Sequence, residues 1–343
     1  MKKILIVTDA WHPQVNGVVT MFMNLLPKLE QRGHSVTVIH PGMFFSLPMP
    51  GYPEIRLSVF SRRTIKRTIA EIKPDHIHLA TEGPLGWAAR RVCIQQKISF
   101  SSTFATRFDV YAEYRMVGLG PVVRHFLKIF HRRSGRVFVA TPALQAHVQS
   151  LGISGAAIAP LGVDTDLFTR KGVPRDARLS SPVFAYFGRV ASEKSVEDFL
   201  SCTLPGTKIV IGDGPEREAL EKKYPAVLFV GVQKGTDLVN WLSQVDVCIF
   251  PSRTDTFGLT IIEALSCGIP VAAHDCLGPR DILTNGTDGF LGEDLAKAAL
   301  QCLTLDRAQC RKKAEQYSWG RSAEAFIQNL VPVRDSGYEY GTL

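Results

Sequence analysis

Short runs of apolar, β-branched and aromatic residues alternate with stretches of helical spacing along almost the whole chain. That alternation predicts parallel strands joined by helices, the pattern of an α/β protein. In the first half it predicts strands over Ile4–Thr8, Val36–His40, Ile55–Val59, His76–Ala80, Phe100–Thr103 and Val137–Ala140. Helices are expected there over Val18–Arg32, Arg62–Ile72, Leu85–Gln96 and Val122–Phe130. In the second half, strands are expected over Phe184–Gly188, Lys208–Ile211, Leu228–Val230, Val245–Phe250 and Val271–Ala273. The helices between them fall over Val196–Cys202, Glu216–Lys223, Thr236–Ser243 and Leu259–Ser266. Lys171-Gly172, Pro174 and Ser180-Ser181-Pro182 interrupt the pattern, so residues 166–182 are expected to link a domain over 1–165 to one over 183–317. Ligands of doubly wound sheets bind beyond the carboxyl ends of the strands, and two such domains facing each other would enclose a cleft there. The tail over 332–343 has no periodicity and is expected to be mobile.

Composition adds limits. A chain of 343 residues, 45% of them hydrophobic, can bury two ordinary cores. Its apolar runs are all too short to span a bilayer, and the N-terminal one ends at Asp9, which reads as a core strand and not a signal peptide. The seven cysteines form no C-x-x-C pair, so reduced core thiols in a cytoplasmic protein are expected. Charge is uneven. Residues 1–164 hold 20 Lys and Arg against 9 Asp and Glu, whereas the remainder holds 20 against 23. The excess gathers at Arg62, Arg63, Lys66 and Arg67 and over Arg124–Arg136, which suits nucleic acid or anionic lipid headgroups, or simply solvated helix faces.

The chemistry concentrates in Pro251–Pro270, PSRTDTFGLTIIEALSCGIP, which follows a buried-strand run. With a helix beginning near Phe257, the backbone N–H groups of Phe257, Gly258 and Leu259 are the unpaired donors that favour an anion. Gly258 allows close approach of a ligand to the main chain. Asp255 and Glu263 flank that point, one at the loop mouth and one about two turns along the helix. A phosphate at the helix start with carboxylates for sugar hydroxyls describes a nucleotide-sugar site. Three further segments lie at strand ends: Asp9–Val18 with its Asn16-Gly17 turn, Gly188–Lys194 with Arg189 and Lys194, and the glycine turn Ile211–Glu216. None is a G-x-G-x-x-G dinucleotide fingerprint.

In this order the segments resemble retaining glycosyltransferases of family 4, which have the GT-B fold of two Rossmann-like domains facing a cleft. VTDAWHPQVNGV, IHLATEGPLG, GVDTDLF, YFGRVASEKS, GDGPE and SRTDTFGLTIIEALSCGIPV carry the likeness, which runs from about Lys2 to Leu330. They are most similar to bacterial α-mannosyltransferases and to sulfoquinovosyl- or glycosyl-diacylglycerol synthases. The resemblance implies an acceptor-binding first domain, a nucleotide-sugar-binding second domain, and a C-terminal helix over 318–331 crossing back to the first.

It also implies roles. Gly17 would approach the donor diphosphate, and Arg189 and Lys194 would neutralise it beside Phe257, Gly258 and Leu259. Asp255 would bind donor sugar hydroxyls and Glu263 the ribose. With cations and a helix dipole taking up leaving-group charge, no metal or other cofactor is expected, and no protein nucleophile. Asp255 stands where the family commonly has Glu. Where the family usually has F/Y-H-T-x-F, this chain reads Phe104-Ala105-Thr106-Arg107-Phe108, and the methyl of Ala105 cannot hydrogen-bond. Arg107 and His12 are candidates to fill that role, and Glu82 in TEGPLG is a candidate acceptor contact or a helix cap. The expected partners are a nucleotide sugar, a lipid acceptor and an anionic membrane surface, with no nucleic acid. The expected location is cytoplasmic, peripheral on the inner membrane. A nucleotide-sugar-binding protein impaired by Ala105 is the alternative. Asp164-Thr165-Asp166 matches a D-x-D metal signature but fits GVD-x-x-x-F better, and His76 and His78 read as packed strand residues.

Overall fold

The structure is a computed structural model that describes residues 1–14, 16–49, 52–115 and 118–333. The chain divides into two units, one of Met1–Pro160 with the segment from Trp319 onward, the other of Leu161–Ser318.

The first unit begins with β1 (Lys3–Val7), α1 (Gly17–Gln31) and β2 (Ser35–Ile39), followed by β3 (Ser46–Met49) and β4 (Tyr52–Ser58). It continues with α2 (Arg62–Ile72), β5 (His76–Leu79), α3 (Pro84–Gln95), β6 (Ser101–Thr103) and α4 (Phe108–Arg115). Then come α5 (Gly120–His131), β7 (Arg136–Val139), α6 (Pro142–Ser150) and β8 (Ala156–Ile158). Six strands form a parallel sheet in the order β2-β1-β5-β6-β7-β8. Helices cover a parallel sheet on both faces, which is why β1 reads as an unbroken apolar run whose Ile4–Val7 are fully buried. The run Ile55–Val59, expected as a strand of this alternation, lies instead in an antiparallel β3-β4 hairpin outside the sheet. The two strands are too close in sequence for a crossover, so β4 pairs locally.

The second unit contains β9 (Val183–Phe187), α7 (Val196–Leu200), β10 (Thr207–Ile211), α8 (Arg217–Lys223), β11 (Leu228–Gly231) and α9 (Gly235–Leu242). These lead to β12 (Val247–Phe250), α10 (Leu259–Ser266), β13 (Val271–Ala273), α11 (Pro279–Ile282) and β14 (Gly289–Leu291). Two helices, α12 (Leu295–Cys302) and α13 (Arg307–Ala314), complete it. Its parallel sheet runs β11-β10-β9-β12-β13-β14, the Rossmann order. Residues 166–182, expected as a linker, are strapped to this unit. The Phe168 carbonyl accepts from Ser266 Oγ (2.7 Å) and Arg311 Nη1 (2.8 Å), and Lys171 N donates to Ser243 Oγ (2.9 Å). Breakers deny the segment regular structure, so side chains at helix ends satisfy its backbone.

The last helix, α14 (Trp319–Asn329), belongs to the first unit. The Arg32 guanidinium donates to the Gly320 carbonyl (2.9 Å), and the Phe326 ring packs 4.9 Å from that of His78. His78 is fully buried between Ser101 Oγ (2.9 Å) and Thr103 Oγ1 (2.7 Å), and burial pushes its pKa down to about 3. It is a neutral packing residue, as its place in a strand suggested. The expected mobile tail lies, from residue 334 on, outside the described residues.

Candidate active site

In the second unit the strand order reverses between β9 and β12, which is where open α/β sheets leave a ligand crevice beyond their carboxyl ends. Arg189 follows β9 on the Gly188–Val190 turn. That turn is held by Gly188 N donating to Ile211 O and Val190 N to Asp213 O, both at 2.9 Å. Lys194 ends the 3-10 turn Ser192–Lys194, and its Nζ lies 2.5 Å from Asp255 Oδ1, each side chain about a fifth exposed. Thr254 Oγ1 donates to the Glu193 carbonyl (3.0 Å), so the loop after β12 is tied to the turn that carries Lys194.

The next residues enter α10. Gly258 has φ +94°, and a Cβ there would lie 2.9 Å from both Phe250 Cζ and Ile261 Cδ1, so only glycine fits. Among the described residues no side chain hydrogen-bonds the first N–H groups of α10, and no acid occupies its first turn, an arrangement that favours an anion there. The Phe257 side chain is buried, its ring edge-on to Tyr317 at 5.9 Å. Glu263 is partly exposed, and its carboxylate makes no hydrogen bond or ion pair among the described residues. Desolvation by the surrounding protein pushes its pKa up to about 7. Arg189, the Lys194–Asp255 ion pair, an open helix start and the Glu263 carboxylate therefore follow the carboxyl ends of the two central strands β9 and β12. Such a set can receive a diphosphate at one end and hydroxyl donors at the other.

In the first unit the strand order reverses between β1 and β5. Asn16 Oδ1 caps α1 by accepting from Val18 N (3.1 Å) and Val19 N (3.0 Å), so Gly17 heads that helix and is exposed. Asp9, which carries no local signal of a role, caps α3 from just beyond β1. It accepts from Leu85 N (2.8 Å), Gly86 N (3.2 Å) and Thr81 Oγ1 (2.8 Å). Glu82 is buried, with Oε1 3.0 Å from His131 Nε2, whose Nδ1 lies 2.8 Å from Ser102 Oγ. This order imitates a Ser-His-Glu triad, but Ser102 is fully buried and cannot meet a substrate. Arg107 forks onto Asp109 through Nε (3.0 Å) and Nη2 (3.1 Å). Burial opposes ionisation of Asp109, yet the guanidinium holds its pKa below the usual value. His12 is exposed, its Nε2 3.0 Å from Met23 Sδ.

Two family descriptions match the chain: "Glycosyl transferases group 1" over residues 181–305 and "Glycosyltransferase Family 4" over residues 15–167. The chain belongs to glycosyltransferase family 4. It is similar to the sulfoquinovosyl transferase of Arabidopsis thaliana, 29% identical over 360 residues that cover 92% of this chain and 70% of the relative. A GDP-mannose-dependent alpha-mannosyltransferase of Corynebacterium glutamicum is 26% identical, covering 84% and 76%. The alpha-monoglucosyldiacylglycerol synthase of Acholeplasma laidlawii is 26% identical, covering 78% and 79%. Among solved structures, a sucrose-phosphate synthase from Thermosynechococcus elongatus superposes with TM-score 0.76 at 20% identity, covering 96% of this chain and 98% of its own. Anabaena HepE in complex with UDP-glucose gives 0.70 at 16%, covering 96% and 99%. These structural likenesses establish the GT-B fold.

Sequence reasoning about the glycosyltransferase missed residues that act through packing. A Cβ on Gly278 (φ +85°) would meet the carbonyls of Phe257 at 2.8 Å and Asp255 at 2.9 Å, so this glycine supports the loop that carries Asp255. The Gly-Pro pair at 278–279 marks a turn, but nothing local says what the turn touches. Asp164 Oδ1 accepts from Asp166 N (3.1 Å) and Leu167 N (3.0 Å), making D-x-D a capped turn. All seven cysteines are free thiols.

Proposed function

We propose that this glycosyltransferase is a retaining hexosyltransferase that moves a hexose from a nucleoside-diphosphate sugar, GDP-mannose or a UDP-sugar, to a lipid acceptor such as diacylglycerol. The observation that carries the reading is the open start of α10 beside Arg189 and Lys194, with the Glu263 carboxylate unpartnered among the described residues. In this reading Arg189, Lys194 and the N–H groups of Phe257, Gly258 and Leu259 bind the diphosphate. Asp255 takes sugar hydroxyls and Glu263 the ribose, while Gly17 gives the phosphates room at the head of α1. The C1–O bond to phosphate breaks with its electron pair going to the leaving oxygen, whose charge the cations stabilise. The acceptor hydroxyl bonds to C1 on the same face, and its proton passes to a donor phosphate oxygen. Neither a protein nucleophile nor a divalent metal is needed, so activity survives chelators. Glu82, Arg107 and His12 are the acceptor-side residues in this reading. Glu82 and Arg107 are held by His131 and Asp109, which favours a shaping role over proton transfer.

The lipid acceptor is supported by the names of two relatives, the sulfoquinovosyl transferase and the alpha-monoglucosyldiacylglycerol synthase. It is supported also by the surface of the first unit. Phe60 is 93% exposed and Phe45 70%, and the Val59 N–H donates to the Phe45 carbonyl (3.1 Å), so the two aromatics lie close together. Beside Phe60, Arg62, Arg63 and Lys66 line a groove of about 970 Å³. On α5, Val122 and Phe126 are exposed next to Arg124 and Lys128. Apolar tips among cations suit a peripheral dock on an anionic cytoplasmic membrane face, with about 1 kcal/mol from each well-placed cation. No helix among the described residues is long and apolar enough to cross a membrane.

Nucleoside diphosphate release from UDP-glucose, UDP-galactose, UDP-glucuronate, UDP-sulfoquinovose or GDP-mannose, with vesicles containing diacylglycerol, tests the reaction. Release from one donor that falls in Arg189→Ala is the expected result. Tight donor binding without release across a broad acceptor set favours the impaired binder with Ala105. Equal binding to anionic and neutral vesicles at low salt contradicts the docking face.

A further inference from the structure

The geometry points to Tyr186 as a positioning residue that fixes Arg189 for the donor diphosphate, an assignment that rests on the reading of Arg189 given above. Tyr186 is the fourth residue of β9 and is almost fully buried. Its phenol O–H donates to the Arg189 carbonyl at 2.5 Å, three residues ahead on the same chain. The strand has ended by then, and the side chain bonds the carbonyl on the turn that follows it. Gly188 leaves space for the phenol, because a Cβ there would lie only 3.1 Å from the hydroxyl oxygen. The same Cβ would lie 4.0 Å from Thr260 Cγ2, so the turn rests against the first turn of α10. The turn that the phenol holds therefore lies against the start of α10.

Electrostatics keep this donor available. Burial raises the Tyr186 pKa well above its ordinary value, and the negative charges of Asp255 and Glu193 add to the effect. The hydroxyl therefore keeps its proton at neutral pH. Phenylalanine would preserve the ring and its packing and remove only the bond to the turn. A guanidinium set on a loosened turn spends less time where it meets a phosphate, so anion affinity falls while packing stays.

The test measures UDP and GDP affinity by calorimetry on the whole chain for wild type, Tyr186→Phe, Arg189→Ala and the double variant. Melting curves are run alongside. Arg189→Ala is expected to weaken the nucleotide that binds by about 10- to 100-fold, the loss of a charge-assisted contact. Tyr186→Phe is expected to weaken it roughly 3- to 10-fold with little change in melting, and to add nothing in the Arg189→Ala background. Should Tyr186→Phe melt early, Gly188→Ala displaces the phenol by another route and is expected to show the same dependence on Arg189. Wild-type affinity in Tyr186→Phe with a clear loss in Arg189→Ala overturns the positioning role and leaves the donor reading standing. An equal loss in both backgrounds also overturns it, because the phenol then acts through some other group. Unchanged affinity in Arg189→Ala, or binding of neither nucleotide, overturns the donor reading and this inference with it.

Discussion

Replacing Glu263 with glutamine separates what this side chain does for a ligand from what it does to the fold. Its carboxyl rises from an ordinary value of 4.5 to about 7 in the folded protein because burial disfavours the charged form. Below pH 4.5 the group is protonated in both folded and unfolded chains and contributes nothing. Between 4.5 and about 7 the unfolded chain releases the proton and the folded one keeps it, so stability falls as pH rises. Above 7 the penalty is complete. The full distance corresponds to on the order of 3 kcal/mol, and solvent reaching the partly exposed carboxylate reduces this to roughly 1–2 kcal/mol. Glutamine carries no charge to desolvate. Glu263→Gln is therefore expected to melt with wild type near pH 4.5 and roughly 2–6 °C higher at pH 8.5 without ligand. UDP or GDP should then raise the melting temperature of wild type more than that of the variant, because the amide offers one acceptor where the carboxylate offers two. A variant that melts lower at pH 8.5, or gains equally at both pH values, would show that burial does not penalise a charged Glu263.

Gly258→Ala forces a side chain into a left-handed position against Phe250 and Ile261, and is expected to cost about 1–3 kcal/mol by urea unfolding and to weaken nucleotide binding. Unchanged stability would deny the tight entry to α10. Glu82→Ala removes the buried contact to His131, and a loss of about 1–3 kcal/mol is expected, with catalysis per folded molecule changing little. A selective loss of turnover at unchanged stability would make Glu82 catalytic. Ala105→His is expected to change an existing kcat modestly, whereas turnover created where wild type has none would establish the impaired binder.

Much of the fold was legible because buried parallel strands leave continuous apolar runs, as in Ile4–Val7 and Val247–Phe250, bounded by glycine turns and helix caps. The hairpin is not legible in the sequence because Ile55–Val59 has the composition of a core strand, and only the missing crossover distinguishes the two. β8 and β14 span three residues each, too few to show a period. At the candidate site, Gly258 was legible from its place between a strand and an amphipathic run. The support from Gly278, the cap by Asp9 and the anchoring of Glu82 by His131 join residues far apart in sequence, and no local pattern records such contacts. The raised pKa of Glu263 likewise comes from three-dimensional packing.

The most direct test of the account is mass-spectrometric detection of glycolipid made by the purified protein from the donor panel and mixed diacylglycerol vesicles, wild type beside Glu263→Ala. One hexosylated lipid matched to one donor is expected, with the product lost or greatly reduced in the variant. Glycolipid formed equally well by Glu263→Ala, or transfer by wild type only to water-soluble acceptors, would contradict it.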